Sequence, residues 1–260
     1  MAALVLASED KLDFRLFIFA NVGEDSENPE TLAYLEHYVR PFAALHPEIE
    51  FVEVQKRSRD GEPQTLLERI HASERSIPIP VRMGPAGAPG NRTCTAEFKI
   101  RVVEKELRRR GATREERAIV GIGITTDEPG RIGSEFDPRS EFQLRRYPLI
   151  DRGLSRADCQ RIIRSAGLPI PPRSACWFCP FHSAEEWRRQ ARRRPDLFGK
   201  SCALEELIHA RGERLGRGEF YFTRHGAPLR DIFHGDEMPL FEDEDLDRLE
   251  AGCDSGFCMT

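Results

Sequence analysis

The chain has 260 residues, 39% of them hydrophobic and 32% charged, enough for one large domain, or one domain with a small C-terminal appendage, around a real core. No apolar run approaches the length of a membrane span, no signal peptide is seen, and a net charge of −5 removes any overall electrostatic case for a nucleic-acid binder. Seven cysteines, an odd number spread through an Arg/Glu-rich chain, argue against a secreted disulfide framework and for reduced thiols in the cytoplasm.

Phe14 to Ala20 is a near-continuous apolar run, the pattern of a strand buried in a parallel sheet. Glu30 to Leu45 carries Leu32, Leu35, Val39 and Phe42 at helical spacing, and Ile49 to Val54 reads as a second strand, which makes a βαβ unit. Ser58 to Gly90 is a long Pro/Gly-rich connection around one short helix near Thr65 to Ile70. Thr95 to Arg110 is predicted helical, Ala118 to Ile124 a buried strand, and Tyr147 to Ile150 a short strand or extended segment. Ser155 with Asp158, and Ser183 with Glu186, have the spacing of capping boxes; the first helix ends at Gly167 and the second runs through Arg194. Phe220 to Thr223 reads as a strand, and the remainder as a tail. Arg108 to Arg110 and the arginines from Arg188 to Arg194 are basic clusters; they suit solvated helix faces, and an anionic substrate or nucleic acid is the sharper alternative.

The loop from Asn21 through Glu30 and Thr31 lies between a strand and the next helix, at the carboxyl edge of a parallel sheet, where ligands bind. An ordinary turn with a proline-started helix fits the same residues. Asp127, Glu128 and Arg131 follow a strand on the same edge; Arg131 is placed to contact an anion or to make a loop salt bridge. Cys176-Trp-Phe-Cys179, with Cys253 and Cys258 near the C-terminus, is a soft-metal or thiol signature. Cys94 sits at a helix start beside Arg92 and Lys99, where the helix dipole favours the thiolate that a ligand or nucleophile needs; an inert buried thiol is the plainer alternative. Cys159 and Cys202 have apolar helical neighbours and read as core residues, and His182, just after Cys179, is explained by packing or capping, with a ligand or acid role as the sharper alternative.

Pro29-Glu-Thr31, Cys94-Thr-x-x-Phe-Lys99, Gly121-Ile122 with Asp127-Glu128 and Arg131, Pro148-Leu149 with Asp151, and Gly167-Leu-Pro169 before Cys176-x-x-Cys179 occur in that order. Together they resemble the phosphoadenosine phosphosulfate reductase-like family of the adenine nucleotide alpha-hydrolase fold, over roughly residues 1 to 200. The resemblance implies an α/β fold, a parallel twisted sheet with helices on both faces. Residues 1–200 would form the nucleotide-binding domain and 201–260 a C-terminal extension carrying Cys253 and Cys258. It also implies an adenine nucleotide or adenylyl sulfate as ligand, contacted by Asn21, Glu30, Thr31, Lys99, Asp127 and Arg131. A [4Fe–4S] cluster, or zinc, would be held by Cys94, Cys176, Cys179 and Cys253, and a terminal cysteine, Cys258 or Cys253, would attack sulfur, with a thiol protein as reductant.

Two departures accompany the resemblance. The family opens on a Ser-Gly-Gly-x-x-Ser phosphate loop, whereas Met1 to Ala7 already looks like the helix that follows it, as expected either if translation was assigned from an internal methionine or if the protein has lost strong nucleotide binding. In cluster-containing members a Cys-Cys pair stands where this chain has Cys94-Thr95. Three functions compete: reduction of an adenylyl sulfate to sulfite, ATP-dependent sulfur transfer to DNA or RNA, and a metal-stabilised binding protein without catalysis.

Overall fold

The computed structural model describes residues 1–84, 88–137 and 140–233. In chain order the elements begin with α1 (Ala2–Ser8), β1 (Leu16–Asn21) and α2, which runs through Pro29–Tyr34, a π-helical turn at Leu35–Val39 and Arg40–Ala44. β2 (Glu50–Gln55), α3 (Leu66–Ala72), β3 (Arg82–Met83) and β4 (Ala88–Pro89) follow. α4 is built from Thr93–Thr95, a second π-helical turn at Ala96–Ile100 and Arg101–Arg109. The rest are β5 (Ala118–Gly121), β6 (Gln143–Arg146), α5 (Pro148–Asp151), α6 (Arg156–Ser165), α7 (Ala184–Arg193), α8 (Pro195–Arg214), β7 (Phe220–Tyr221) and α9 (Leu229–Ile232). Among the described residues this is a mixed α/β protein, and none of its helices is long and apolar enough to cross a membrane.

The chain divides into two compact units. Among the described residues the first comprises Met1–Thr65 and Thr95–Ala175, the second Leu66–Cys94 and residues 176–233. In the first unit β1 pairs parallel with β2, from Leu16 opposite Glu50 to Asn21 opposite Gln55, so the predicted strand, helix, strand order is a true βαβ unit. β5 pairs parallel with β6, from Ala118 opposite Gln143 to Gly121 opposite Arg146. The core collects Leu4 and Leu6 of α1, Tyr34, Leu35 and Val39 of α2, and Ile163 of α6, with Phe17, Phe19 and Phe51 of the strands packed against it. The π turn in α2 has a local cause: Pro41 has no N–H and its ring would crowd the carbonyl four residues back, so the helix widens and Arg40 N–H reaches Leu35 O instead.

Two strand expectations change. Ile119, in the middle of β5, is 60% exposed, so the buried run begins only at Ile122 and Ile124, beyond the strand. Tyr147 to Ile150 is not extended: Pro148 occupies the first helical position, where its fixed φ suits a helix start, and α5 results. The strand lies one step earlier, in β6, whose Arg145 and Arg146 hid it from any reading based on apolar alternation.

In the second unit β3 pairs antiparallel with both β4 and β7. α7 starts on the predicted capping box: Ser183 Oγ accepts from Glu186 N–H and the Glu186 carboxylate accepts from Ser183 N–H at 2.8 Å. α8 runs without a break through residue 200, where the sequence places the start of an extension. Its buried stripe includes Leu197, Ser201, Leu204, Glu205, Ile208 and Arg211. The polar members make hydrogen bonds to backbone, although Arg211 Nε has no partner among the described residues. Glu205 accepts from Phe222 N–H at 2.6 Å and Leu229 N–H at 2.7 Å, and the Arg211 guanidinium donates to Ile70 O at 2.8 Å.

Candidate functional site

The carboxyl edge of β1 and β2 opens into a polar loop that the sequence dictates residue by residue. Asn21, the last residue of β1, is buried; its Oδ1 accepts from Gly23 N–H at 2.8 Å and its Nδ2 donates to Glu53 Oε1 at 2.7 Å. Gly23 has φ +118°, and a Cβ there would lie 2.4 Å from the Thr65 Cβ, so only glycine fits on both counts. Asp25 then accepts from Ser26 Oγ at 2.8 Å and from Thr65 Oγ1 at 2.9 Å, clasping the loop. Asn28 caps α2, its side chain accepting from Glu30 N–H at 2.9 Å, and Asn28 N–H donates to Ala175 O at 3.1 Å.

Inside this loop Glu27 is wholly buried. Its carboxylate accepts from Asn28 N–H at 3.3 Å, and the Ser174 hydroxyl lies close enough to favour its charged form, while the Thr31 Oγ1 has no hydrogen-bond partner among the described residues. Burial pushes the Glu27 carboxyl above the usual carboxylate range, against the pull of the Lys99 ammonium. Lys99 reaches this neighbourhood from the π turn of α4, the kind of helix irregularity that recurs at functional sites. In that turn Phe98 is fully buried, with the Lys56 ammonium 4.3 Å from its ring centre, and Lys56 pairs with Glu97 at 2.6 Å.

Of the six nucleotide-contact residues expected, Asn21, Thr31 and Lys99 belong to this loop or face it. Glu30 lies in the first turn of α2 with its side chain exposed. Asp127 and Arg131 are engaged elsewhere, after β5. The Asp127 carboxylate accepts the Arg156 N–H at the start of α6 and the Thr125 hydroxyl, and Arg131 pairs with Glu128 at 2.7 Å. Asp25, Glu27 and Thr65 were missed in sequence because one more acid in Glu24-Asp-Ser-Glu27, or a threonine in a long loop, carries no periodic or motif signal.

The described cysteines divide by environment. Cys94 sits in the first turn of α4 as expected, with its N–H donating to Pro78 O at 2.7 Å. Cys176 and Cys179 are joined by a tight turn, Cys179 N–H to Cys176 O at 3.1 Å, continued by His182 N–H to Cys179 O at 3.0 Å. Trp177 and Phe178 between them are buried, edge to face at 4.7 Å, and anchor the turn while both sulfur-bearing residues stay partly exposed. The His182 ring packs 4.8 Å from Trp187. Cys159 and Cys202 are core residues: burial raises the Cys159 thiol pKa and pushes that of Cys202 up to about 11, so neither supplies thiolate near neutrality.

Among the described residues no three His, Cys, Asp or Glu side chains are grouped so as to hold a metal ion. The remaining expected sulfur donors, Cys253 and Cys258, lie outside the described residues. Three thiols have the right chemistry for iron or zinc, but the described side chains do not by themselves form a coordination shell.

The basic clusters are tied down unevenly. Arg109 and Arg110 both pair with Glu106, and Arg110 also with Glu50 at 2.6 Å, which leaves little of that charge for a phosphate backbone. No family model, curated protein or solved structure matches this chain.

Proposed function

We propose that this protein is a nucleotide-dependent enzyme of sulfur chemistry, reducing an adenylyl sulfate to sulfite, with the nucleotide bound at the carboxyl edge of β1. The observation that carries the reading is the buried polar group at the start of α2, the Glu27 carboxylate with Lys99 nearby and the Thr31 Oγ1, which has no hydrogen-bond partner among the described residues. A buried hydroxyl of this kind marks a place where a ligand's polar groups complete the hydrogen bonding. The Thr31 hydroxyl can both accept and donate, which suits a ribose or an adenine edge. The Lys99 ammonium is the group that would balance an attached phosphate or sulfate.

The two parallel pairs are then read as parts of one twisted sheet. Supporting this, a Cβ on Gly121 at the end of β5 would lie 2.7 Å from the ring of Phe14, two residues before β1. Such close approach is expected where β5 runs beside β1, and a ligand crevice belongs at that switch of strand order.

In the reaction, a terminal thiolate, Cys258 or Cys253, attacks the sulfur of the adenylyl sulfate. A sulfur–sulfur bond forms, the sulfur–oxygen bond to the phosphate breaks, and the adenosine phosphate leaves with the electron pair. A dithiol protein then attacks the cysteine sulfur, releasing sulfite and becoming a mixed disulfide, and its second thiol closes its own disulfide and frees the enzyme thiol. The two electrons that convert sulfate-level to sulfite-level sulfur come from that dithiol.

Anaerobic incubation with adenosine 5′-phosphosulfate, its 3′-phosphorylated form and a thioredoxin-type reductant, followed by assay of sulfite and adenosine phosphate, tests the reading. Equimolar sulfite and adenosine phosphate are expected, lost in Cys258→Ser or Cys253→Ser. No sulfite from either nucleotide, with no nucleotide binding by calorimetry, would refute it.

A further inference from the structure

The basic cluster on α7 is a sequence feature that the nucleotide reading leaves unused. α7 turns Ala184 and Trp187 inward, both buried, and Gln190 toward α8, where its side-chain amide donates to Ser201 Oγ at 3.2 Å. Arg189, Arg192 and Arg193 are exposed, and at i, i+3 and i+4 they share the outer face, with their Cβ atoms about 5–6 Å apart. Among the described residues none of these three side chains makes a hydrogen bond or an ion pair, not even with Glu185 one turn earlier. In the other basic cluster, by contrast, Arg109 and Arg110 are neutralised by Glu106 and Glu50. Like charges one turn apart repel, so a complementary anion is what the α7 face takes up.

The chain itself supplies a counterpart. Glu242 to Glu250, which reads Glu-Asp-Glu-Asp-Leu-Asp-Arg-Leu-Glu and lies outside the described residues, holds six acids and one arginine. Phe233, the last described residue before it, shares a cavity wall with Ser183, Ala184 and Trp187 at the start of α7. Eight residues, 234–241, separate Phe233 from Glu242, a tether that spans up to about 30 Å. The ten residues of α7 are only about 15 Å long. The acidic run is therefore within reach of all three arginines, at the roughly millimolar effective concentration that a short tether provides. A nucleic acid offers the same kind of charge, but it would have to displace a covalently attached polyanion and approach a protein of net charge −5.

We propose that the arginine face of α7 is a docking surface for the chain's own acidic segment, residues 242–250, held by salt-dependent carboxylate–guanidinium pairs that close the face to external polyanions. The proposal uses neither the loop after β1 nor any cysteine, so it stands apart from the nucleotide reading.

Carbodiimide cross-linking of the full chain tests it. Arg189→Lys, Arg192→Lys and Arg193→Lys each keep the charge and introduce an amine that carbodiimide joins to a carboxylate in contact with it. Arg110→Lys, beside Glu50 and Glu106, is the positive control. Peptide mapping should find the amines introduced on α7 joined to acids of 242–250 in chains of monomer mass. The yield should fall about threefold or more between roughly 20 mM and 500 mM NaCl, as screening shortens from about 20 Å to about 4 Å. Absence of any link to 242–250 while the control reacts would overturn the proposal, and so would links found only between an isotope-labelled copy and an unlabelled one. A second measurement reads the closed face. Glu242→Gln, Asp243→Asn, Glu244→Gln and Asp245→Asn together should delay elution from a heparin column. The same four changes made alongside Arg189→Gln, Arg192→Gln and Arg193→Gln should shift elution by less than about half as much. An equal shift in the two backgrounds would overturn the docking as well.

Discussion

Replacing Glu205 by glutamine should make the protein's stability respond differently to pH, and the size of the difference follows from the structure. The carboxylate sits on the buried stripe of α8, 2% exposed, and accepts two backbone N–H groups, from Phe222 and Leu229. Those bonds favour the charged form, but burial dominates, and the pKa rises from an ordinary 4.5 to about 7. A carboxyl whose pKa is raised on folding contributes stability that is complete below 4.5 and is lost as pH climbs through 7. The shift is worth about 3 kcal/mol. Glutamine cannot titrate, so the stability difference between wild type and Glu205→Gln should shrink by about 3 kcal/mol between pH values of about 4 and 8. At acid pH the variant should be the weaker by about 1–3 kcal/mol, because its NH₂ group must face one of two backbone donors. Urea unfolding of both proteins across that range measures the difference directly, and other titrating groups cancel in the subtraction. A difference that stays flat with pH would refute the burial argument for this residue.

Four other outcomes are expected. Ser155→Ala and Ser183→Ala each remove one capping box, and each should lower unfolding stability by about 1 kcal/mol. Gly23→Ala places a side chain at positive φ against Thr65 and should lower thermal stability, and under the proposed function it should lower nucleotide affinity with it. Glu27→Gln removes a buried carboxylate whose pKa is raised; its melting temperature should exceed that of wild type at neutral pH and fall level with it below the carboxylate range, where wild-type Glu27 is neutral. Alkylation of the native protein with iodoacetamide near neutrality, read by mass spectrometry, should leave Cys159 and Cys202 unmodified until denaturant is added.

The parts of this chain legible in sequence are those with local, repeated signals. The βαβ unit, both capping boxes and the core character of Cys159 and Cys202 all rest on periodicity or fixed spacing, and the structure has each of them. Beyond the helical pattern around Cys202, α8 was not read as one long element, because its inward stripe includes Ser201, Glu205 and Arg211, which break the apolar pattern; the partners of Glu205 and Arg211 are distant in sequence. β6 failed for the same reason, since Arg145 and Arg146 form ladder pairs with Val120 and Gly121 that no hydropathy pattern announces. In the candidate site, Asn21 was singled out by its position after a strand and Lys99 through the family resemblance. Glu27 was not, because burial of a loop carboxylate is decided by tertiary packing alone.

The way the second unit is strung along the chain has a consequence for synthesis. Its α3 and β3 precede its α8 and β7, and the Arg211 to Ile70 hydrogen bond joins residues 141 apart. Closing a loop of that length costs about 4 kcal/mol before any contact forms, and Arg82 cannot pair with Tyr221 until that residue has left the ribosome. Residues 66–94 therefore emerge without their partners and wait, with Ile70 and Ile79 uncovered, while the whole of 95–175 is made. Chaperone demand during translation should peak over that interval and end once β7 has followed α8, and a nascent chain stalled before Arg211 should be cut by protease first within 66–94.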